Sequence, residues 1–123
     1  MDHIVYVDAK ANEMEQLLDG EKTMVIRGAA GRKLPYGRVD AGDVLYFINN
    51  NGEGQVKAKG VVSNVFNSEK MTKEESICLV EENQDKLKLN KKQFNRWAGK
   101  RYIVLIEVIS IEGIEAFNID KSD

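Results

Sequence analysis

The sequence predicts an α+β fold, a small mixed β-barrel of five or six strands with about three helices at its ends. Two observations carry that reading. A helix follows the first strand-like run and a helical pair precedes the last two. The middle strands are joined by turns too short for the parallel crossovers of a doubly wound sheet. A chain of 123 residues is the size of one ordinary domain, so residues 1–123 are read as a single unit.

HIVYVD (3–8) alternates and is rich in β-branched residues, the pattern of a first strand. Asp8 is placed to cap a helix that carries Ala11, Met14, Leu17 and Leu18 on one face, and Gly20 to end it. Thr23 to Arg27 makes a second strand, with Met24 and Ile26 expected toward the core and Thr23, Val25 and Arg27 on the other face. Lys22 then belongs to the turn after Gly20. A 16-residue loop follows, GAAGRKLPYGRVDAGD (28–43), holding the only proline and several cations. Its length and charge mark it as functional rather than merely connecting.

VLYFINN (44–50) is a nearly continuous apolar run, as expected of a strand covered on both faces, and NNGEG has turn chemistry. From Gln55 to Phe66 a clean alternation gives way near Gly60, which predicts a bulge or bend there. Thr72 with Glu75, and Asn90 with Gln93, are capping boxes for two helices; Leu89 and Phe94 have the spacing of a hydrophobic staple. RYIVLIEVISI (101–111) is the strongest strand, and EAFNI (115–119) a last one.

Composition narrows the functions. The chain is 42% hydrophobic and 31% charged, and no apolar run approaches the roughly 20 residues of a membrane span, so no membrane role is expected. MDHIVYVDAK enters the first strand without a basic leader or cleavage site, which predicts a cytoplasmic protein. The sole cysteine, Cys78, reads as a small buried apolar residue, and with His3 the only histidine neither a zinc set nor a histidine-based triad is expected. No metal or other cofactor is therefore called for.

The net charge of −2 argues against a protein that coats nucleic acid all over, but the charge is unevenly spread. Residues 22–59 hold Lys22, Arg27, Arg32, Lys33, Arg38, Lys57 and Lys59 against three acids, and residues 91–101 hold five basic residues and no acid. A fold that brings the two windows together has one positive face; if it does not, these are solvated charges on separate surfaces. GAAGRK (28–33) lacks the spacing and the Ser or Thr of a phosphate loop. Trp97 lies three residues after Phe94, which fits core packing, yet Arg96, Lys100 and Arg101 flank it, which fits base stacking beside phosphate. Tyr36, inside KLPYGR, is either an exposed stacking residue or a loop anchor.

Taken in order, the helix end LLDGEKTMVIRG, the turn VDAGDVLYFIN, the strand QVKAKGVVSNV and the terminal RYIVLIEV resemble the ASCH domain, a member of the PUA-like superfamily of small β-barrels. The likeness spans about residues 10–110, and its core is Gly20, Lys22 and Arg27 followed by Gly42, Asp43 and Val44. It implies a cleft beside the lysine and arginine that takes RNA or a modified nucleobase or nucleoside. Val25 stands where many such sequences carry a glutamate, and where those resembling acylated-cytidine amidohydrolases carry a threonine nucleophile. Val25 can be neither acid nor nucleophile, so a binding module is favoured over an enzyme. The expected ligand set is Lys22, Thr23, Arg27, Arg32, Lys33, Tyr36, Arg38, Lys57 and Trp97, around an RNA segment or nucleotide-like anion, in a monomer or weak homodimer. The alternatives are a hydrolase of a modified nucleoside, with Lys22 as base or electrostatic stabiliser beside Glu74 or Glu75, and a protein-interaction domain with an acidic partner.

Overall fold

The computed structural model describes residues 1–31 and 37–118. One five-stranded sheet curls into a half-barrel from β1 (Asp2–Val7), β2 (Met24–Ala29), β3 (Val44–Asn49), β4 (Gln55–Asn67) and β5 (Tyr102–Asn118), in the order β1-β3-β4-β5-β2. β1 runs parallel to β3 and every other pair is antiparallel. The sheet is mixed, as the short middle turns require. Its two outer strands, β1 and β2, have no ladder between them among the described residues.

Two apolar clusters cover the two faces of the curl. Inside lie Leu17, Val25, Leu45, Phe47, Val62 and Ile106, and outside, under the helices, lie Met24, Ile26, Val80, Leu87, Leu89 and Ile103. Burying a side chain of this size contributes about 1.5–3 kcal/mol, so both layers are needed. The expected alternation of β2 holds, with Met24 and Ile26 in one core, but its other face is covered too: Val25, only 1% exposed, meets the second core. β3 departs in the opposite sense. Leu45 and Phe47 point inward, whereas Val44 and Tyr46 are only half-buried, with Tyr46 edge-on to Phe117 at 6.3 Å.

The curl is produced by bulges. Opposite the single residue Gly60 of β4, β5 places both Ser110 and Ile111, with Ser110 at φ 53°. That extra residue bends β5 without ending it, so one strand replaces the two expected over 101–119. Burial alternation in β4 runs unbroken through Gly60 to Val62 and fails only after Ser63, where a second bulge falls. Gly60 itself points inward, and a Cβ there would lie 3.0 Å from Ile111 Cγ1 and 3.5 Å from Phe47 Cε2. The position needs glycine for room.

Four helices complete the described residues: α1 (Glu13–Leu18), α2 (Lys73–Glu82), α3 (Gln84–Leu87) and α4 (Lys91–Trp97). Both capping boxes form, Thr72 with Glu75 and Asn90 with Gln93. Asp8 does not cap α1 directly. Its Oδ1 accepts the N–H groups of Lys10 and Ala11, forming a turn, and α1 begins only at Glu13. Cys78 is also corrected: it lies on the solvent face of α2, 3.8 Å from Glu82, because Ser76 and Val80 occupy the buried face. No described helix is long and apolar enough to cross a membrane.

A buried ion pair ties these helices to the sheet. Lys22, in the turn before β2, is 0% exposed; its Nζ lies 3.0 Å from Glu13 Oε2 of α1 and donates to the Leu87 carbonyl of α3 at 2.7 Å. Burial pushes the lysine below its ordinary range and Glu13 opposes that shift. Lys22→Met strands the Glu13 carboxylate and is expected to cost about 3–5 kcal/mol in chemical denaturation. Pairing it with Glu13→Gln should restore most of the loss, and a double variant no more stable than the single one would mean the pair is not what the site depends on.

The second tie is Asp43, the acid of the Gly-Asp-Val turn. Its carboxylate accepts the Asp40 N–H at 3.0 Å, lies 2.8 Å from His3 Nε2 and pairs with the Met1 ammonium at 3.2 Å, joining the β3 turn to the start of β1. These contacts, the Asp40 N–H foremost, hold its pKa down at about 2. The ordinary value is about 3.9, so this contribution is complete above that pH and fades as pH falls toward 2. Asp43→Asn is expected to flatten the acid limb of stability between those limits; acid-unfolding curves that keep the wild-type slope would count against the turn's role.

Candidate functional site

The open edges of the half-barrel face each other, and Arg27 closes the gap. The Met1 carbonyl accepts the Val44 N–H and the Val7 carbonyl the Asn50 N–H, so odd-numbered residues of β1 address β3 and even-numbered ones address the seam. On β2 the Thr23 carbonyl accepts the Val108 N–H, which leaves Met24, Ile26 and Gly28 on the seam side. Arg27 donates from Nη1 to the Ile26 carbonyl and from Nη2 to the Tyr6 carbonyl, each at 2.6 Å. One guanidinium thus joins two strand edges where a ladder is missing. Burial lowers its pKa, Glu13 opposes that and Arg96 adds to it, so both an acid and a second cation act on Arg27.

A cavity of about 510 Å³ opens on the helical side of this seam. Its lining includes Arg27, Tyr6, Glu13 and Asp8, together with Lys92, Arg96 and Trp97 of α4. The capping box at Asn90 starts α4 so that Lys92 and Arg96, four residues apart, share one face, with Trp97 next to Arg96. The Arg96 and Arg27 guanidiniums lie over the Trp97 ring at 4.5 and 5.8 Å, within the range of cation–π attraction. On the barrel side a second hollow of about 500 Å³ shares Arg27 and Tyr6 and is otherwise walled mainly by apolar residues such as Val25 and Leu45.

Of the residues singled out in the sequence, Arg27 and Trp97 come together in this cavity. The two basic windows therefore meet, but through Arg27, Arg96 and Lys92 rather than along their whole length. Lys22 sits behind the wall, sealed between Glu13 and Leu87, and half-buried Thr23 donates its N–H to the Lys86 carbonyl. Arg38 is exposed outside the cavity; Lys57 is on β4, paired with Glu53 at 2.9 Å. Arg32, Lys33 and Tyr36 lie outside the described residues. Glu75 is engaged in the α2 cap, where the Thr72 N–H lowers its pKa, and Glu74 is exposed beside it, so Lys22 has Glu13 as its carboxylate instead.

Sequence reasoning passed over Glu13. It stands four residues before Leu17 and next to Met14, the two buried apolar residues of α1, and an acid on that register was the available signal. No group of three or more His, Cys, Asp or Glu side chains suited to a metal ion occurs among the described residues.

No protein-family model matches the chain, and no curated protein does. Solved structures do. An ASCH protein from Zymomonas mobilis superposes with a TM-score of 0.70 at 12% identity, over 96% of this chain and 73% of that one. A point mutant of that protein gives a TM-score of 0.70 at 12% identity over 96% of this chain and 76% of its own. Another gives 0.70 at 11% identity over 94% and 72%. At such identities the likeness is one of backbone, and it agrees with the order of motifs read from the sequence: the chain has the ASCH fold.

Proposed function

We propose that the chain is a nucleic-acid-binding module that holds a nucleotide unit of RNA, or a free nucleotide, in the cavity between the seam and α4. The observation that carries this reading is the meeting of Arg27, Arg96 and Lys92 around Trp97 in a single hollow. A volume of about 510 Å³ falls in the range that accepts one small organic ligand. Arg96 and Lys92 are exposed and free to move onto phosphate, whereas Arg27 is fixed by two carbonyls and keeps N–H groups to spare. Indole and guanidinium planes both stack on bases. On this reading the protein is cytoplasmic, a monomer or weak homodimer, and binds without catalysing.

Trp97 is the only tryptophan and lines the cavity, so tryptophan fluorescence reports on it. Titration with a short single-stranded oligoribonucleotide at low salt is expected to quench it, with affinity falling as salt rises. Replacing both exposed cations (Arg96→Ala, Lys92→Ala) should weaken binding about tenfold or more and reduce the salt slope by about 1.4. Unchanged affinity in a folded double variant would remove this cavity from consideration.

A further inference from the structure

We infer that Glu13 selects the base: the cavity prefers adenine and cytosine, which present an amino group, over hypoxanthine and uracil, which present an oxygen at the same position. This rests on the nucleotide reading above. Glu13 neutralises Lys22 and also lines the hollow at 6% exposure, where a carboxylate does nothing to hold an anion. Its Oε1 accepts the Asp8 N–H at 2.7 Å and its Oε2 lies 3.0 Å from Lys22 Nζ, which fixes the carboxylate's position.

A carboxylate offers about four acceptor positions, so two partners leave acceptor capacity for the cavity side. Only a donor is welcome there. Asp8 adds a second acid to the same lining, its Oδ1 already taken by the Lys10 and Ala11 N–H groups. Gln93, also buried in the lining, has its Oε1 engaged by the Asn90 N–H in the cap of α4.

The lining is accordingly of both signs: Glu13 and Asp8 share it with Arg27, Arg96 and Lys92, and Arg27 interacts electrostatically with both Glu13 and Arg96. A nucleotide carries groups for both. On this inference its phosphate meets Arg96 and Lys92 and its base edge meets Glu13. There an exocyclic amine donates a charge-assisted hydrogen bond, whereas a carbonyl oxygen sets acceptor against acceptor. The difference between these outcomes corresponds to about 10- to 100-fold in affinity.

The test is a fluorescence titration of Trp97 with the pairs CMP and UMP, and AMP and IMP, on the wild-type protein, on Glu13→Gln, and on Glu13→Gln with Lys22→Met. The last variant removes both buried charges and guards against unfolding of the first. CMP over UMP and AMP over IMP by at least about tenfold, collapsing toward equality in whichever variant stays folded, is the expected result. Equal binding of the members of each pair overturns the role of Glu13 and leaves the nucleotide site standing. A preference kept in a folded variant overturns it as well. If an oligoribonucleotide binds and no monophosphate does at low salt, base selection by Glu13 is overturned alone; if neither binds, the nucleotide reading itself falls, and this inference with it.

Discussion

A lysine ammonium with no access to water is the constraint around which the molecule is arranged. Such a charge is tolerated only when its partners are already in place, because leaving it unpaired costs more than the pair returns. Lys22 meets that demand with one group from α1 and one from α3, the Glu13 carboxylate and the Leu87 carbonyl. Both helical segments are thereby located against the beginning of β2, and β2 in turn sets where Arg27 stands. The cavity wall is downstream of a contact that does not itself face the cavity's contents. Glu13 belongs to both, since it neutralises the lysine on one side and lines the hollow on the other.

Much of the fold was legible because strands and caps are local. Alternation located β1, β2 and β4, and Thr72 and Asn90 announced their helices through short-range hydrogen bonds that any sequence window contains. What eluded sequence reasoning depends on contacts across the chain. Glu13 and Lys22 are nine residues apart and nothing in either segment says that they touch. Cys78 is apolar enough to be buried, yet α2 has a single buried stripe and Cys78 falls off it. Residues 101–111 and 115–119 read as two strands, but with β4 alongside the bend at Ser110 is absorbed within one long β5.

The candidate site was half legible for the same reason. Arg27 and Trp97 were marked by their neighbours in sequence, whereas the role of Lys22 was set by a buried partner that sequence proximity could not reveal. Val25 carries a related lesson. On β2 it reads as an absence, the place where a catalytic group would stand in sequences resembling acylated-cytidine amidohydrolases. In the structure it is 1% exposed and packs inside the curl with Leu45 and Ile106. That position serves packing here, which is the use to which a shared backbone at 12% identity can be put without disturbing the strands around it.

The seam between β1 and β2 has a mechanical consequence. A hydrogen-bonded ladder fixes neighbouring strands about 4.8 Å apart and shares load over every residue. Here the two edges are joined by the two donors of one guanidinium, at Tyr6 and Ile26. The wall is therefore riveted at a point rather than along a line, by a side chain that the four ladders do not need for their register. Both hollows share that rivet, so a change of side chain at position 27 alters the lining of the barrel's interior and of its outer cleft at once.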